Sequence, residues 1–133
     1  MKVLFDTSAF IALACPKDRH HAEALAKMDR LAEERHPVYT TNAGLYETCN
    51  WLAVRMGPRQ ASKFGRELRG GSDMTVVALA VEDEGGALAV LEKFSQIQLS
   101  FVDASSIYLF AKLGMDRVFS FDRHFVQANV PLL

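Results

Sequence analysis

Three short apolar segments of this 133-residue chain each end at an aspartate that is followed by a helical pattern. Asp6 follows Val-Leu-Phe, Asp103 follows Ser-Phe-Val, and Asp122 follows Val-Phe-Ser-Phe. Strands that alternate with helices are typical of parallel βαβ units, and ligands of such sheets bind beyond the carboxyl ends of the strands. The pattern therefore predicts an α/β domain in which the three aspartates gather at one edge of a parallel sheet.

Apolar periodicity and chain breakers predict the individual elements. The run from Met74 to Val81 is apolar almost throughout, which is typical of a strand that is buried on both faces. The expected strands span residues 2–5, 38–41, 74–81 and 117–121, with an edge strand at 130–133. Residues 99–102 are expected to be extended chain that leads to a helix beginning at Asp103. The expected helices span residues 7–14, 20–35, 42–56, 58–69, 82–94 and 103–114, with a short one after Asp122. No linker or repeat interrupts the chain, so residues 1–133 are expected to form one domain.

A fourth acid, Glu47, lies one turn into the helix that begins near Asn42, and its longer side chain can reach the same cleft. Each aspartate taken singly is most simply explained as a helix N-cap. Several carboxylates together raise one another's pKa values or require a counter-charge, and no lysine or arginine lies beside Asp6 in the sequence. Divalent cations satisfy such a cluster, and hard oxygen ligands favour Mg²⁺ or Mn²⁺ over zinc.

Carboxylate-bound metals support phosphoryl transfer by activating water and by stabilising the leaving oxygen. We expect Asp6 and Asp103 to bind one metal, and Glu47 and Asp122 to bind a second metal or orient water. The candidate catalytic and metal-binding residues are therefore Asp6, Glu47, Asp103 and Asp122.

Two serines, Ser8 and Ser120, lie close to two of these acids. Their hydroxyl groups have the chemistry to bind a carboxylate, a metal-bound water or a substrate phosphate. Ordinary capping or turn hydroxyls are the alternative, and for Ser8 this alternative is at least as good.

Basic residues recur at helical spacing from Arg55 to Arg69. Because Gly57-Pro58 bends the chain, only the second part of this series shares one helix face, which includes Arg59, Lys63 and Arg66. This face is either an electrostatic track for RNA phosphates or an ordinary solvated surface.

The overall charge and the cysteine content give weaker indications. A net charge of −1 is mild evidence against a nucleic-acid binder, although the distribution of charge matters more than its sum. Cys15 and Cys49 are expected to be reduced, which favours a cytoplasmic location. The apolar first fifteen residues are not expected to be a secretion signal because Asp6 interrupts them, and no segment is long enough for a membrane span.

The chain resembles the PIN-domain family, and among its members the VapC-type toxins of toxin–antitoxin pairs. The resemblance rests on residues 3–13 (VLFDTSAFIAL), 40–52 (TTNAGLYETCNWL) and 99–125 (LSFVDASSIYLFAKLGMDRVFSFDRHF). It implies a three-layer α/β/α sandwich around a parallel sheet and endoribonuclease activity that depends on Mg²⁺ or Mn²⁺. It also implies homodimers and an antitoxin that blocks the site. The four acids fall on the family's acidic positions, and Ser120 falls where a small hydroxyl residue is usual.

Other functions remain open from the sequence. A PIN nuclease that processes RNA outside a toxin pair, a nuclease acting on DNA, and a non-catalytic RNA-binding module of the same fold all fit the same residues. A phosphatase of the haloacid dehalogenase type is disfavoured, since that chemistry requires a second aspartate where this chain has Ser8.

Overall fold

Four parallel strands form the central sheet of the protein, which is described here from a computed structural model covering residues 1–133. The strands are β1 (Val3–Phe5), β2 (Val38–Thr41), β3 (Met74–Val77) and β4 (Arg117–Phe119), in the order β3-β2-β1-β4. Every neighbouring pair is parallel, and Val3 lies opposite both Val38 and Arg117. The carboxyl ends of all four strands therefore lie along one edge, as the sequence predicts.

Seven α-helices surround the sheet. Helix α1 begins after the N-cap residue Asp6, and Pro58 is the first residue of α4, so the predicted caps and breakers do set helix boundaries. None of the helices is both long and apolar enough to cross a membrane. The helices are α1 (Thr7–Ala14), α2 (His21–Glu33), α3 (Asn42–Arg55), α4 (Pro58–Gly70), α5 (Glu84–Lys93), α6 (Phe101–Lys112) and α7 (His124–Gln127).

The side chains of β1 alternate between two apolar cores, one on each face of the sheet. Val3 and Phe5 pack in the core that includes residues of α1 and α2, whereas Leu4 packs on the opposite face with residues of α6 and α7. Successive strand residues point to opposite faces, so a strand buried on both sides needs apolar residues at every position. The expected three-layer α/β/α sandwich is confirmed.

The predicted strand 74–81 is wrong in its length and its burial. Strand β3 ends at Val77, pairs only with β2 at the edge of the sheet, and contains no fully buried residue. Beyond it, the Leu79 amide donates to Asn42 Oδ1 at 2.7 Å and the Ala80 amide donates to Asp83 Oδ2 at 2.9 Å. These side-chain acceptors replace strand partners, so the apolar run leaves the sheet halfway.

The expected extended chain before Asp103 is also absent. Helix α6 begins at Phe101, and Asp103 is its third residue rather than its start. The Asp103 amide donates to Ser100 Oγ at 3.0 Å, and the Ser100 amide donates to Asp103 Oδ2 at 3.1 Å. This reciprocal capping box satisfies two free amide groups of the helix terminus, which favours helix over strand.

The last part of the chain forms less strand than expected. Strand β4 ends at Phe119, so Asp122 lies three residues beyond the sheet rather than directly after it. The expected edge strand at 130–133 is reduced to one parallel bridge between Leu132 and Val118.

Helices α5 and α6 approach each other closely at a glycine. A Cβ atom on Gly86 would overlap the aromatic ring of Tyr108 on α6. A Cβ atom on the preceding residue, Gly85, would have no atom within 4 Å. In this glycine pair, packing therefore requires a glycine at position 86 but not at position 85.

The two glycines are expected to respond to alanine with opposite signs. Gly86→Ala should lower the free energy of unfolding by about 2 kcal/mol, because the new methyl group displaces the Tyr108 ring. Gly85→Ala should raise it by up to about 1 kcal/mol, because alanine loses less backbone entropy on folding. Urea denaturation of the two variants and the wild type measures both effects. Equal changes in the two variants would contradict the close approach at position 86.

Candidate active site

The carboxylate of Asp6 is held by two serine hydroxyl groups at the carboxyl end of β1. Asp6 Oδ2 accepts hydrogen bonds from Ser8 Oγ and Ser120 Oγ, both at 2.9 Å, and from the Ser8 amide at 3.3 Å. The two serine oxygens lie 3.0 Å apart. The sequence left several roles open for these serines, and in the structure both hydroxyl groups bind a carboxylate, that of Asp6.

The same serines attach the loop after β4 to the start of α1. The Phe121 amide donates to Ser8 Oγ at 2.9 Å, and the Asp122 amide donates to Ser120 Oγ at 3.0 Å. The His124 amide in turn donates to Asp122 Oδ1 at 2.9 Å. This loop therefore has a defined position relative to β1, and it carries Asp122 to the same edge of the sheet.

A second group of side chains consists of Asp103, Asp122 and His124, which offer ligand atoms that all lie within 4.8 Å of one another. His124 Nδ1 lies 3.2 Å from Asp122 Oδ1 and 3.9 Å from Asp103 Oδ2. The sequence predicted the two aspartates, whereas for His124 it favoured a surface or packing role over contact with RNA. The only sequence signal for His124 in the site is its position two residues after Asp122.

Burial dominates the electrostatics of the two innermost acids. Burial raises the pKa of Asp6 to about 6; the serine hydrogen bonds oppose this rise, and the charge of Asp103 adds to it. Burial also raises the pKa of Asp103, the hydrogen bonds from Ser100 oppose the rise, and the charge of Asp122 adds to it. The expected mutual destabilisation of the clustered carboxylates is thus present for Asp6 and Asp103.

No lysine or arginine forms an ion pair with any of the four candidate acids. Arg123, which follows Asp122 in sequence, is exposed. Arg117 lies at the other end of β4 and donates to the carbonyl oxygen of Asp116. The cluster therefore lacks a permanent counter-charge from the protein.

The donor atoms present fit a divalent cation. The carboxylates of Asp103 and Asp122 lie near each other without a lysine or arginine partner, and His124 Nδ1 is buried without a hydrogen-bond partner. A polar atom left without a partner costs free energy, and a bound cation removes that cost for a nitrogen lone pair and for carboxylates alike.

Glu47 is half-buried on α3, and its carboxylate makes neither a hydrogen bond nor an ion pair within the chain. No hydrogen bond or ion pair therefore connects Glu47 to Asp6 or to the group formed by Asp103, Asp122 and His124. Its membership in the site stays a prediction.

The predicted basic face is present on α4. Arg59, Lys63 and Arg66 line one shallow surface depression of about 420 Å³ together with Ser62 and Glu67. The opposite face of the helix contains the buried Ala61 and the half-buried Phe64 and Leu68. Arg55 belongs to α3 and lies over the ring of Trp51, with 5.5 Å from the guanidinium carbon to the ring centre.

Comparison with known proteins identifies the family of this chain. A model of the PIN domain matches residues 3–131, so the chain belongs to the PIN domain family. The chain is similar to VapC20 of Mycobacterium tuberculosis, described as a toxin that cleaves the sarcin-ricin loop. The two structures have a TM-score of 0.87 and 29% sequence identity, over 98% of each chain.

Two more distant structures share the fold. FitAcB from Neisseria gonorrhoeae has a TM-score of 0.68 at 14% identity, over 98% of this chain and 96% of that one. PAE2754 from Pyrobaculum aerophilum has a TM-score of 0.63 at 23% identity, over 96% of this chain and 78% of that one. No curated protein sequence matches the chain.

Proposed function

We propose that the protein is a metal-dependent endoribonuclease that hydrolyses RNA phosphodiester bonds, and that it is the toxin of a toxin–antitoxin pair. The observation that carries the proposal is the clustering of Asp6, Asp103 and Asp122 at the carboxyl edge of the sheet without a lysine or arginine partner. The similarity to a toxin that cleaves the sarcin-ricin loop supports RNA as the substrate.

In this proposal the carboxylates of Asp6, Glu47, Asp103 and Asp122 hold Mg²⁺ or Mn²⁺. A bound divalent cation supplies the Lewis acidity that phosphodiester hydrolysis requires. Ser8 and Ser120 orient the first of these carboxylates by occupying Asp6 Oδ2, and Asp6 Oδ1 accepts no hydrogen bond within the chain. That second oxygen is therefore free to act as a ligand.

The partners follow from the same proposal. A toxin nuclease needs an inhibitor, so we expect an antitoxin protein that covers the acidic edge, and we expect the chain to form a homodimer in the cytoplasm. A non-catalytic RNA-binding module is the alternative that the following experiment separates. An RNA-processing nuclease outside a toxin pair is the other alternative, and a neighbouring antitoxin gene would favour the toxin over it.

Incubation of the purified protein with a mixed pool of cellular RNA tests the activity. We expect cutting with Mn²⁺ or Mg²⁺ and none with EDTA, and sequencing of the new ends would define the target. A parallel pool of single-stranded DNA should remain intact. Cutting of DNA alone, or no cutting of either pool by folded protein free of inhibitor, would contradict the proposal.

The basic face of α4 is expected to bind RNA phosphates. Replacing Lys63 and Arg66 together by glutamine should reduce the slope of log affinity against log salt concentration by about 1 to 2, since each removes one phosphate contact. Fluorescence anisotropy of labelled RNA in EDTA measures binding without cleavage. Lys93→Gln, on α5 in the opposite helical layer, is the matched control and should leave the slope unchanged. Unchanged slopes in all variants would make the face an ordinary solvated surface.

A further inference from the structure

We propose that His124 is a direct ligand of the catalytic metal through Nδ1, completing a mixed nitrogen and oxygen site with Asp103 and Asp122. The proposal rests on the proposed function, since it concerns the metal that the nuclease would use. It adds a residue that the acidic pattern of the sequence does not contain, and it specifies the class of cation that this chain prefers.

The distances around His124 fit a shared cation. Nδ1 lies 3.2 Å from Asp122 Oδ1 and 3.9 Å from Asp103 Oδ2. Ligand atoms that each lie about 2.1 Å from one ion are separated by roughly 3 to 4 Å, depending on the angle at the ion. His124 Nδ1 is therefore spaced from each of the two carboxylates as two ligands of one metal are, and the ligand atoms of all three side chains lie within 4.8 Å of one another.

A hydrogen bond does not explain the position of the ring. His124 Nδ1 is buried and has no hydrogen-bond partner, although Asp122 Oδ1 lies nearby. That oxygen already accepts from the backbone amide of His124 at 2.9 Å. The nitrogen is thus enclosed beside two carboxylates without a hydrogen bond, an arrangement that a cation shared by the three groups stabilises.

The local chain structure holds the ring there. His124 is the first residue of α7, and the next residue, Phe125, is completely buried in the core beneath α6. The side chain of His124 is 34% exposed, so the ring is partly enclosed but remains reachable by solvent. In a neutral imidazole with its proton on Nε2, Nδ1 carries the lone pair that a metal requires.

An imidazole ligand changes which cation the site prefers. Sites made only of carboxylate oxygens suit Mg²⁺, whereas nitrogen ligands raise the relative affinity for Mn²⁺ and later transition metals. We therefore infer that this chain binds Mn²⁺ more tightly than Mg²⁺, and that His124 accounts for much of the difference.

Pulsed electron paramagnetic resonance of bound Mn²⁺ tests the ligand directly, without any measurement of activity. The wild-type protein loaded with Mn²⁺ should show modulation from a coordinated ¹⁴N nucleus, and incorporation of ¹⁵N-histidine should change its frequency. His124→Gln should lose the modulation and bind Mn²⁺ at least about tenfold more weakly, with a smaller change for Mg²⁺. His20→Gln, the matched control on a neighbouring histidine, should keep both.

The electron paramagnetic resonance spectra and the binding measurements have two kinds of result that would contradict a His124 ligand. Mn²⁺ that binds without nitrogen modulation, or modulation that persists in His124→Gln, would overturn the assignment while leaving a carboxylate-only nuclease intact. Failure of wild-type protein to bind either cation would overturn this assignment together with the metal dependence of the proposed function. The ¹⁵N-histidine experiment requires no variant, and His124 is the histidine that lies with the acidic ligand atoms, so a folding defect in His124→Gln would not prevent a decision.

Discussion

Replacement of Asp103 by asparagine is expected to reduce the rate of RNA cleavage by at least about a hundredfold without loss of the fold. Asparagine keeps the shape of the side chain and an oxygen that can accept the hydrogen bond from the Ser100 amide, so the capping box of α6 is preserved. What it removes is the negative charge beside Asp122 and His124. The measurement is the initial rate of cleavage in saturating Mn²⁺, with the fold checked by circular dichroism.

Two control variants separate charge from helix capping. Asp29→Asn changes an exposed acid on α2 and should leave the rate unchanged. Ser100→Ala removes the capping hydroxyl but keeps the Asp103 carboxylate, so it should cost about 1 kcal/mol of stability while most activity remains. Equal activity of Asp103→Asn and the wild type would indicate a copurified nuclease or a site elsewhere in the chain.

Replacement of Asp6 by asparagine is expected to stabilise the metal-free protein at pH 8 by up to about 3 kcal/mol. Folding raises the pKa of Asp6 from 3.8 to about 6, because burial disfavours its charged form. Above pH 6 the folded protein must carry this buried charge, which asparagine lacks. The weaker hydrogen bonds that Ser8 and Ser120 make to an amide oxygen reduce the gain below this upper bound.

The sign of the pH dependence follows from proton binding. Between pH 3.8 and about 6 the folded state holds a proton on Asp6 that the unfolded state has lost. The contribution of Asp6 to stability therefore falls as pH rises through this window and stays low above it. Below pH 3.8 the group is protonated in both states, so the advantage of Asp6→Asn should vanish.

Urea denaturation in EDTA at a series of pH values measures this difference, with Asp29→Asn as the control for a lost surface charge. The gap between Asp6→Asn and the wild type should open between pH 4 and 6. Added Mn²⁺ should reverse the order at pH 8, since a cation that binds only the folded wild type stabilises it. A gap that does not depend on pH would mean that Asp6 is not destabilised by burial.

Most of the architecture could be predicted because local patterns and tertiary environment agree. Strand β2 has the predicted bounds, and Pro58 begins its helix as predicted. The predicted element bounds are wrong where a side chain accepts a hydrogen bond from a backbone amide. Asn42 and Asp83 end β3 early by bonding amides that a longer strand would have paired, and Ser100 converts an expected extended segment into the first turn of α6. Apolar content alone does not reveal such competitors.

The site residues that could be predicted best are those whose positions are fixed by the end of a strand. Asp6 directly follows a strand, so the rule for parallel sheets locates it. Asp103 was predicted to follow an extended segment. It instead reaches the cluster from the first turn of α6. The position of His124 depends on how α7 docks beside α6, a long-range packing feature that spacing in the sequence does not specify.

The contacts of Ser8 and Ser120 with Asp6 also determine when, during synthesis of the chain, the site can form. Ser8 and Ser120 are separated by 112 positions in the chain, and both bind the same oxygen of Asp6. Contacts between such distant residues require the whole intervening segment to have been made, and the entropy of closing so long a loop slows their formation. A nascent chain that has not yet released residues 120–124 from the ribosome therefore lacks the Ser120 contact, Asp122 and His124. The acidic edge is therefore incomplete until β4 has joined the sheet, which delays any activity until then.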